Sequence, residues 1–239
     1  NRTRREIEKG LLQGVADEGG YWPAFDTNEA ALDALVASIE RSGLVPGDDV
    51  SISLDVAASE FGVNGRYSLG LEKRELDSDG LGEMLEGWVG RYPIVSIEDP
   101  LGEDDEAGLR KFTAALGDRI QIIGDDYLVT NADRVRVAGM VGVCNALLCK
   151  PNQAGTLTEA KAAADAANEA GFGVVVSARS GETEDATIVH LAVGWSAPQL
   201  KVGSFARSER MVKWNEGLRV AEQLPGGGKL WPKSSYAWA

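Results

Sequence analysis

The chain has 239 residues, 44% of them hydrophobic and 26% charged, enough for one large domain with a substantial core. Its 24 basic residues are outnumbered by 37 acidic ones, giving a formal charge of −13, and the only basic cluster is the opening NRTRR; this argues against nucleic acid or an anionic membrane as a partner. An anionic small molecule stays open, because a few local cations or a metal can invert the field inside one cleft.

No apolar run approaches the roughly 18 residues that a bilayer span needs, and no secretory signal is present. Cys144 and Cys149 sit among apolar neighbours and read as buried free thiols, which fits a reducing cytoplasm. The first residue is Asn1 and not Met, so the expectation is a chain that begins inside a longer natural one.

In chain order, the stretch ADEGGYWP (16–23) places Glu18 before two glycines, which permit tight backbone geometry. The stripe Leu32, Leu35, Val36 and Ile39 predicts a helix capped by Thr27 or Asn28 and stopped at Gly43. The run 50–57 predicts the first buried strand, and 62–80 a small hairpin excursion turning at Asn64-Gly65. Further strands are predicted at 93–99, 120–126, 146–152, 173–179 and 199–204. Several are continuous apolar runs without alternation, as in strands covered on both faces. Between them, Thr156-x-x-Glu159 fits a capping box and Gly171 closes that helix; His190 falls in another helical pattern, on its surface or in the core. Repeated βα units predict a parallel sheet with helices outside, doubly wound or closed into a barrel. No glycine fingerprint for a dinucleotide or P-loop follows any strand, which weakens the doubly wound option.

The strand ends carry sorted chemistry: Asp55, Glu98 and Asp125 on the first three, then Lys150, Arg179 with Ser180, and Lys201 on the last three. One charge where a strand leaves the core is ordinary, but six in series are hard to explain by chance. In a βα barrel these ends meet at one mouth, the usual place of an active site. Three oxygen-donor acids without His or Cys suit a hard divalent ion, Mg²⁺ before Zn²⁺ or Cu²⁺. The cations and the Ser180 hydroxyl suit a phosphate or carboxylate. A lysine beside a metal and other cations can lose its proton and act as a base, and Glu18 on its loop is a candidate general acid.

The stretches DEGGYWP, LDVAASEF, YPIVSIEDPLGEDD, GDDYLVTN, LLCKPNQAGTLTEA, SARSGETEDATI and QLKVGSFARSERMVKWNEGLRV together resemble, in order, the successive motifs of the enolase (phosphopyruvate hydratase) family. The resemblance runs from about residue 10 to residue 224. It implies an α/β fold, an enolase-type TIM (β/α)8 barrel of which about six βα units are present. The barrel domain would occupy 1–224, incomplete at its amino-terminal side, with an irregular tail over 225–239. It implies Asp55, Glu98 and Asp125 as Mg²⁺ ligands, Lys150 as the base and Glu18 as the acid. Lys201 would help hold the substrate carboxylate, and Arg179, Ser180 and Ser177 would bind the phosphorylated end. The implied activity is a cytoplasmic, glycolytic lyase that dehydrates 2-phosphoglycerate to phosphoenolpyruvate, with no nucleic-acid or membrane partner and a homodimer in the full-length form.

The pattern departs from the family at Ala178, where a histidine is usual, and at Trp22, Pro151 and His190. The family's amino-terminal domain and first two barrel strands are absent from the sequence. These departures suggest two alternatives: a diverged paralogue acting on a phosphonate analogue in secondary metabolism, or a non-catalytic barrel scaffold.

Overall fold

The computed structural model describes residues 12–236 and residue 238. A short antiparallel hairpin, β1 (Leu12–Val15) and β2 (Tyr21–Pro23), leads into helix α1 (Asn28–Arg41), whose first turn is capped by the Thr27 hydroxyl accepting from the Ala30 amide at 3.2 Å. Strand β3 (Ile52–Asp55) precedes a three-stranded antiparallel excursion of β4 (Gly62–Val63), β5 (Arg66–Leu69) and β6 (Arg74–Asp77). Its first turn is at Asn64-Gly65, both with positive φ, as a tight hairpin turn requires. Regular βα alternation follows: α2 (Ser78–Arg91), β7 (Ile94–Glu98), α3 (Glu106–Leu116), β8 (Gln121–Gly124), α4 (Ala132–Val141), β9 (Ala146–Cys149) and the short α5 (Pro151–Ala154). The chain continues through α6 (Leu157–Glu169), β10 (Gly173–Ser177), α7 (Thr187–Gly194), β11 (Gln199–Lys201) and α8 (Ser208–Gln223).

The six strands β3, β7, β8, β9, β10 and β11 form one parallel sheet in that order. Buried runs without alternation follow from having two cores. Ile122, Leu147 and Val174 face the helices, while Ile123, Ala146, Leu148 and Val175 pack with one another in a separate inner cluster. Beneath Ile123, Gln121 bridges to Ser96 at 3.4 Å and to Gln199 at 2.6 and 3.1 Å, so the polar groups of the inner face satisfy one another.

Strand separation shows that the sheet is curled. The outermost strands β3 and β11 are five steps apart, about 24 Å in a flat sheet at roughly 4.8 Å per step. Yet the Lys201 ammonium on β11 lies 2.7 Å from the Asp55 carboxylate on β3. The sheet therefore closes on itself as a partial barrel, and the carboxyl ends of its strands converge.

Two predicted boundaries move. The strand predicted over 146–152 stops at Cys149, because Pro151 has no amide to give a sheet and its fixed φ suits the first position of α5. The hairpin predicted over 62–80 has a third strand, β6, and its last residues already belong to α2. Both cysteines are buried free thiols, with burial pushing each up to about 12. No described helix is long and apolar enough to cross a membrane.

Candidate functional site

Each strand end delivers its side chain to the mouth of the partial barrel. Asp55, Glu98 and Lys201 are the last residues of β3, β7 and β11, while Asp125 and Lys150 directly follow β8 and β9. Leaving these strands sharply demands unusual backbone: Ala57, Asp99, Val129 and Thr130, just beyond β3, β7 and β8, all adopt positive φ although none is glycine. Such conformations cost about 1–3 kcal/mol each and persist where surrounding structure enforces them, commonly at functional sites.

A cavity of about 300 Å³ occupies the mouth. Among the residues singled out in the sequence, Glu18, Asp55, Asp125, Lys150, Ser177, Arg179, Ser180 and Lys201 line it, and Glu98 lies beneath, held by Lys201. A larger hollow of about 490 Å³ along the edge strand β3 is walled mainly by apolar groups such as Leu54, Phe61 and Trp88, and the chemistry-bearing groups do not converge there. His190 lies outside the cavity, on the surface of α7, 3.1 Å from Glu216.

One wall of the cavity is acidic and internally paired. The Lys201 ammonium donates to Asp55 at 2.7 Å and to both Glu98 oxygens at 2.7 and 2.9 Å, and Lys150 donates to Asp125. Glu98 is buried, and burial pushes its carboxyl up to about 8 against the pull of Lys201; neighbouring Asp55 and Asp125 push the same way. Lys201 is raised as well, because two acids outweigh its own burial. The other oxygen of Asp125, Oδ1, is buried without a hydrogen-bond partner. Hard oxygen donors in excess of the local cations, one of them orphaned, fit a divalent cation such as Mg²⁺.

Sequence reasoning missed Asp99 and Asp126, each the second member of an acid pair in EDP and GDD. Their carboxylates lie with that of Asp125 in the tightest trio of acids among the described residues, with candidate ligand atoms all within 4.8 Å. This trio shares only Asp125 with the predicted set. Asp99 is already engaged: its two oxygens accept the Asp125 and Asp126 amides, both at 2.9 Å, so it fixes the backbone on which Asp125 is carried. Burial pushes Asp99 up to about 7 even though both amides favour its charged form. Lys150 is fixed similarly, its amide donating to the buried Thr130 hydroxyl at 2.9 Å.

The opposite wall is cationic and open. Among the described residues, the Arg179 guanidinium, the Ser180 hydroxyl and the Glu18 carboxylate make no hydrogen bond or ion pair. Glu18 is brought there by the β1–β2 turn, whose backbone is stitched to the segment after β11: Ser204 donates to the Glu18 carbonyl at 2.8 Å and Ala206 to that of Gly19 at 3.3 Å. Gly19 is required, since with φ +77° and a carbonyl only 2.2 Å from where a Cβ would sit, no side chain fits. Ala178 completes this wall, with its amide donating to the Lys201 carbonyl at 2.9 Å. An unpaired guanidinium, a free hydroxyl and a free acid facing a metal-suited carboxylate set could hold an anionic molecule and exchange protons with it.

Comparison with known proteins agrees with this fold. The model of the enolase C-terminal TIM barrel domain matches residues 6–236. Enolase 1 of Desulfitobacterium hafniense (strain Y51) is 49% identical over 233 residues, covering 96% of this chain and 53% of that protein. The enolase of Tropheryma whipplei (strain Twist) is 47% identical over 218 residues, covering 91% and 50%. The chain thus spans about half the length of the curated relatives it matches. A barrel-domain match over nearly all of its length, with relatives at this identity, means that the chain belongs to the enolase family.

Proposed function

We propose that the chain is the barrel portion of a Mg²⁺-dependent carbon–oxygen lyase that dehydrates 2-phosphoglycerate to phosphoenolpyruvate. The observation that carries this reading is the division of one cavity into a wall of acids paired with lysines and a wall that holds the unpaired Arg179 guanidinium, the Ser180 hydroxyl and Glu18. A substrate with a carboxylate at one end and a phosphoryl group at the other would meet complementary groups at both.

In this reading the Lys150 amine takes the proton from the carbon beside the carboxylate. The electron pair of that C–H bond passes first into the carboxylate, then returns to form the carbon–carbon double bond as the hydroxyl on the next carbon departs, and Glu18 donates the proton that turns it into water. Both residues then return to their starting protonation states through solvent. Lys201 holds the substrate carboxylate, while Arg179 and Ser180, with Ser177 behind them, hold the phosphoryl group. Mg²⁺ held by Asp55, Glu98 and Asp125 would supply positive charge against the second negative charge that develops on the carboxylate. The expected setting is a cytoplasmic glycolytic enzyme, dimeric at full length.

The test is Mg²⁺-dependent formation of phosphoenolpyruvate from 2-phosphoglycerate by the full-length protein. Absence of turnover with this substrate and with its phosphonate analogues would remove the lyase reading. Ala178 favours a second reading, a diverged enzyme for a phosphonate analogue, because it places a small apolar group beside Arg179 in the cavity wall. Under that reading Ala178→His raises activity toward 2-phosphoglycerate, and under the first it changes little. A non-catalytic scaffold has no physical reason to hold three carboxylates against their mutual repulsion. Mg²⁺ binding that tightens in the presence of a phosphorylated carboxylate, measured by calorimetry, counts against it.

A further inference from the structure

Two cations that the mechanism does not use lie on one face of α8, and neither reaches solvent. The Arg210 side chain is fully buried and, among the described residues, forms no ion pair with a carboxylate. Its two terminal nitrogens instead donate to four backbone carbonyls: Arg179 and Val202 at 2.8 Å, Ser180 at 2.7 Å and Asp17 at 3.2 Å. These carbonyls belong to three separate segments: the turn that carries Glu18, the loop that carries the Arg179-Ser180 pair, and the stretch that leaves β11. Close to one turn further along, Lys213 donates to the Thr183 carbonyl at 2.8 Å and pairs with buried Glu182 at 2.9 Å. Glu182 in turn accepts the Arg179 amide at 2.9 Å. Gly203 leaves the passage for the guanidinium, since a Cβ there would lie 2.9 Å from the Arg210 Cδ.

We propose that Arg210, supported by Lys213, is a positioning residue that sets Glu18, Arg179 and Ser180 in place before any ligand arrives. The assignment rests on the lyase reading for what these groups bind, but not for the positioning itself. A planar fork suits the task because it can serve divergent acceptors at once, which a lysine ammonium at the same site cannot reproduce. Burying a guanidinium is costly, and four carbonyl dipoles that hold it must themselves be held, so loops and cation fix one another. Loops ordered in advance spare substrate binding the entropy of ordering them. Among the described residues Arg210 has no hydrogen bond or ion pair to the acids of the opposite wall, so a positioning role predicts selective damage.

The experiment compares Arg210→Lys with the unaltered full-length protein by three readouts. KM for 2-phosphoglycerate is expected to rise about tenfold, while Mg²⁺ affinity without substrate stays within about threefold. Amide exchange is expected to quicken over 17–19 and 178–183 and to stay unchanged over 93–99. An unchanged KM with unchanged exchange would overturn the proposal, and so would a parallel loss of Mg²⁺ affinity and exchange protection throughout the barrel. If the unaltered protein does not turn over 2-phosphoglycerate, the lyase reading fails while the exchange pattern still decides the positioning. If the variant does not fold, exchange in the unaltered protein without metal or ligand decides it. Slow Ala178 and Arg179 amides support a preset loop, and amides protected only after 2-phosphoglycerate is added refute it.

Discussion

The two walls of the cavity are held in opposite ways. On the acidic wall the functional groups satisfy each other inside the site, Lys201 with Asp55 and Glu98, Lys150 with Asp125. On the cationic wall Arg179 and Ser180 are left open, and the order comes from behind, through Arg210 and Lys213. The difference follows from charge. Carboxylates crowded at converging strand ends repel one another and need cations among them. Cations meant for an anionic ligand are most useful when nothing else occupies them, so their backbone is held instead. Pairings on the first wall are therefore exchangeable, and the scaffold of the second is not.

The largest expected effect comes from breaking the acidic wall at its chemical end. Lys150→Ala should lower kcat by roughly 10²- to 10⁴-fold, the range of a general base, in steady-state assays with saturating substrate. The Lys150 amide still anchors the loop to Thr130, but the metal-free fold should lose some stability because Asp125 loses its cation, and Mg²⁺ should restore part of it. A kcat within about tenfold of the unaltered protein would move the base elsewhere.

A smaller loss is expected from breaking the scaffold of the open wall. Gly19→Ala places a Cβ against the Ala206 carbonyl in a backbone conformation of φ +77°. The strain should cost about 1–3 kcal/mol of stability, read as a lower denaturant midpoint. Because the Ala206 amide and the Gly19 carbonyl join the Glu18 turn to the loop after β11, kcat should also fall, while Mg²⁺ affinity without substrate holds. Equal loss of both would show that the two walls are one mechanical unit.

The two walls also differ in how far the sequence discloses them. Asp55, Glu98, Asp125, Lys150 and Lys201 are legible because each sits at the end of an apolar run, and parallel βα order alone brings such ends to one mouth. Their motifs also carry the family resemblance. Arg210 is invisible to the same reasoning, because its partners are carbonyls, which every residue has, and one of them is 193 positions away. Asp99 is hidden differently: beside Glu98 it reads as a second surface acid, and only the fold reveals that both its oxygens are spent on the amides of Asp125 and Asp126. Hairpin β6 and the early end of β9 were lost to local turn and proline chemistry, which long-range patterning does not resolve.

The smallest effect sharpens the claim that the acidic pairings are exchangeable, and it is read through pH. Glu98 titrates near 8 in the folded protein, against about 4.3 for an unperturbed glutamate. Its folded form therefore holds a proton more tightly than the unfolded chain does. The associated stability is complete below about pH 4.3 and drains away as pH rises toward 8. Asp99, titrating near 7, adds in the same direction. Asp126, raised by burial and by neighbouring Asp125, acts in the same direction, so without metal the thermal midpoint should fall between about pH 5 and pH 8 by a few degrees. Glu98→Gln cannot ionise, so its slope should be shallower than that of the unaltered protein. Mg²⁺ should offset the fall, because it favours ionised Glu98, and its binding near pH 7 should release protons, seen as a calorimetric heat that varies with the ionisation enthalpy of the buffer. A slope unchanged by Glu98→Gln would move the titrating proton to the Asp99–Asp126 pair that flanks Asp125, and Asp99→Asn would then be the variant that flattens the slope.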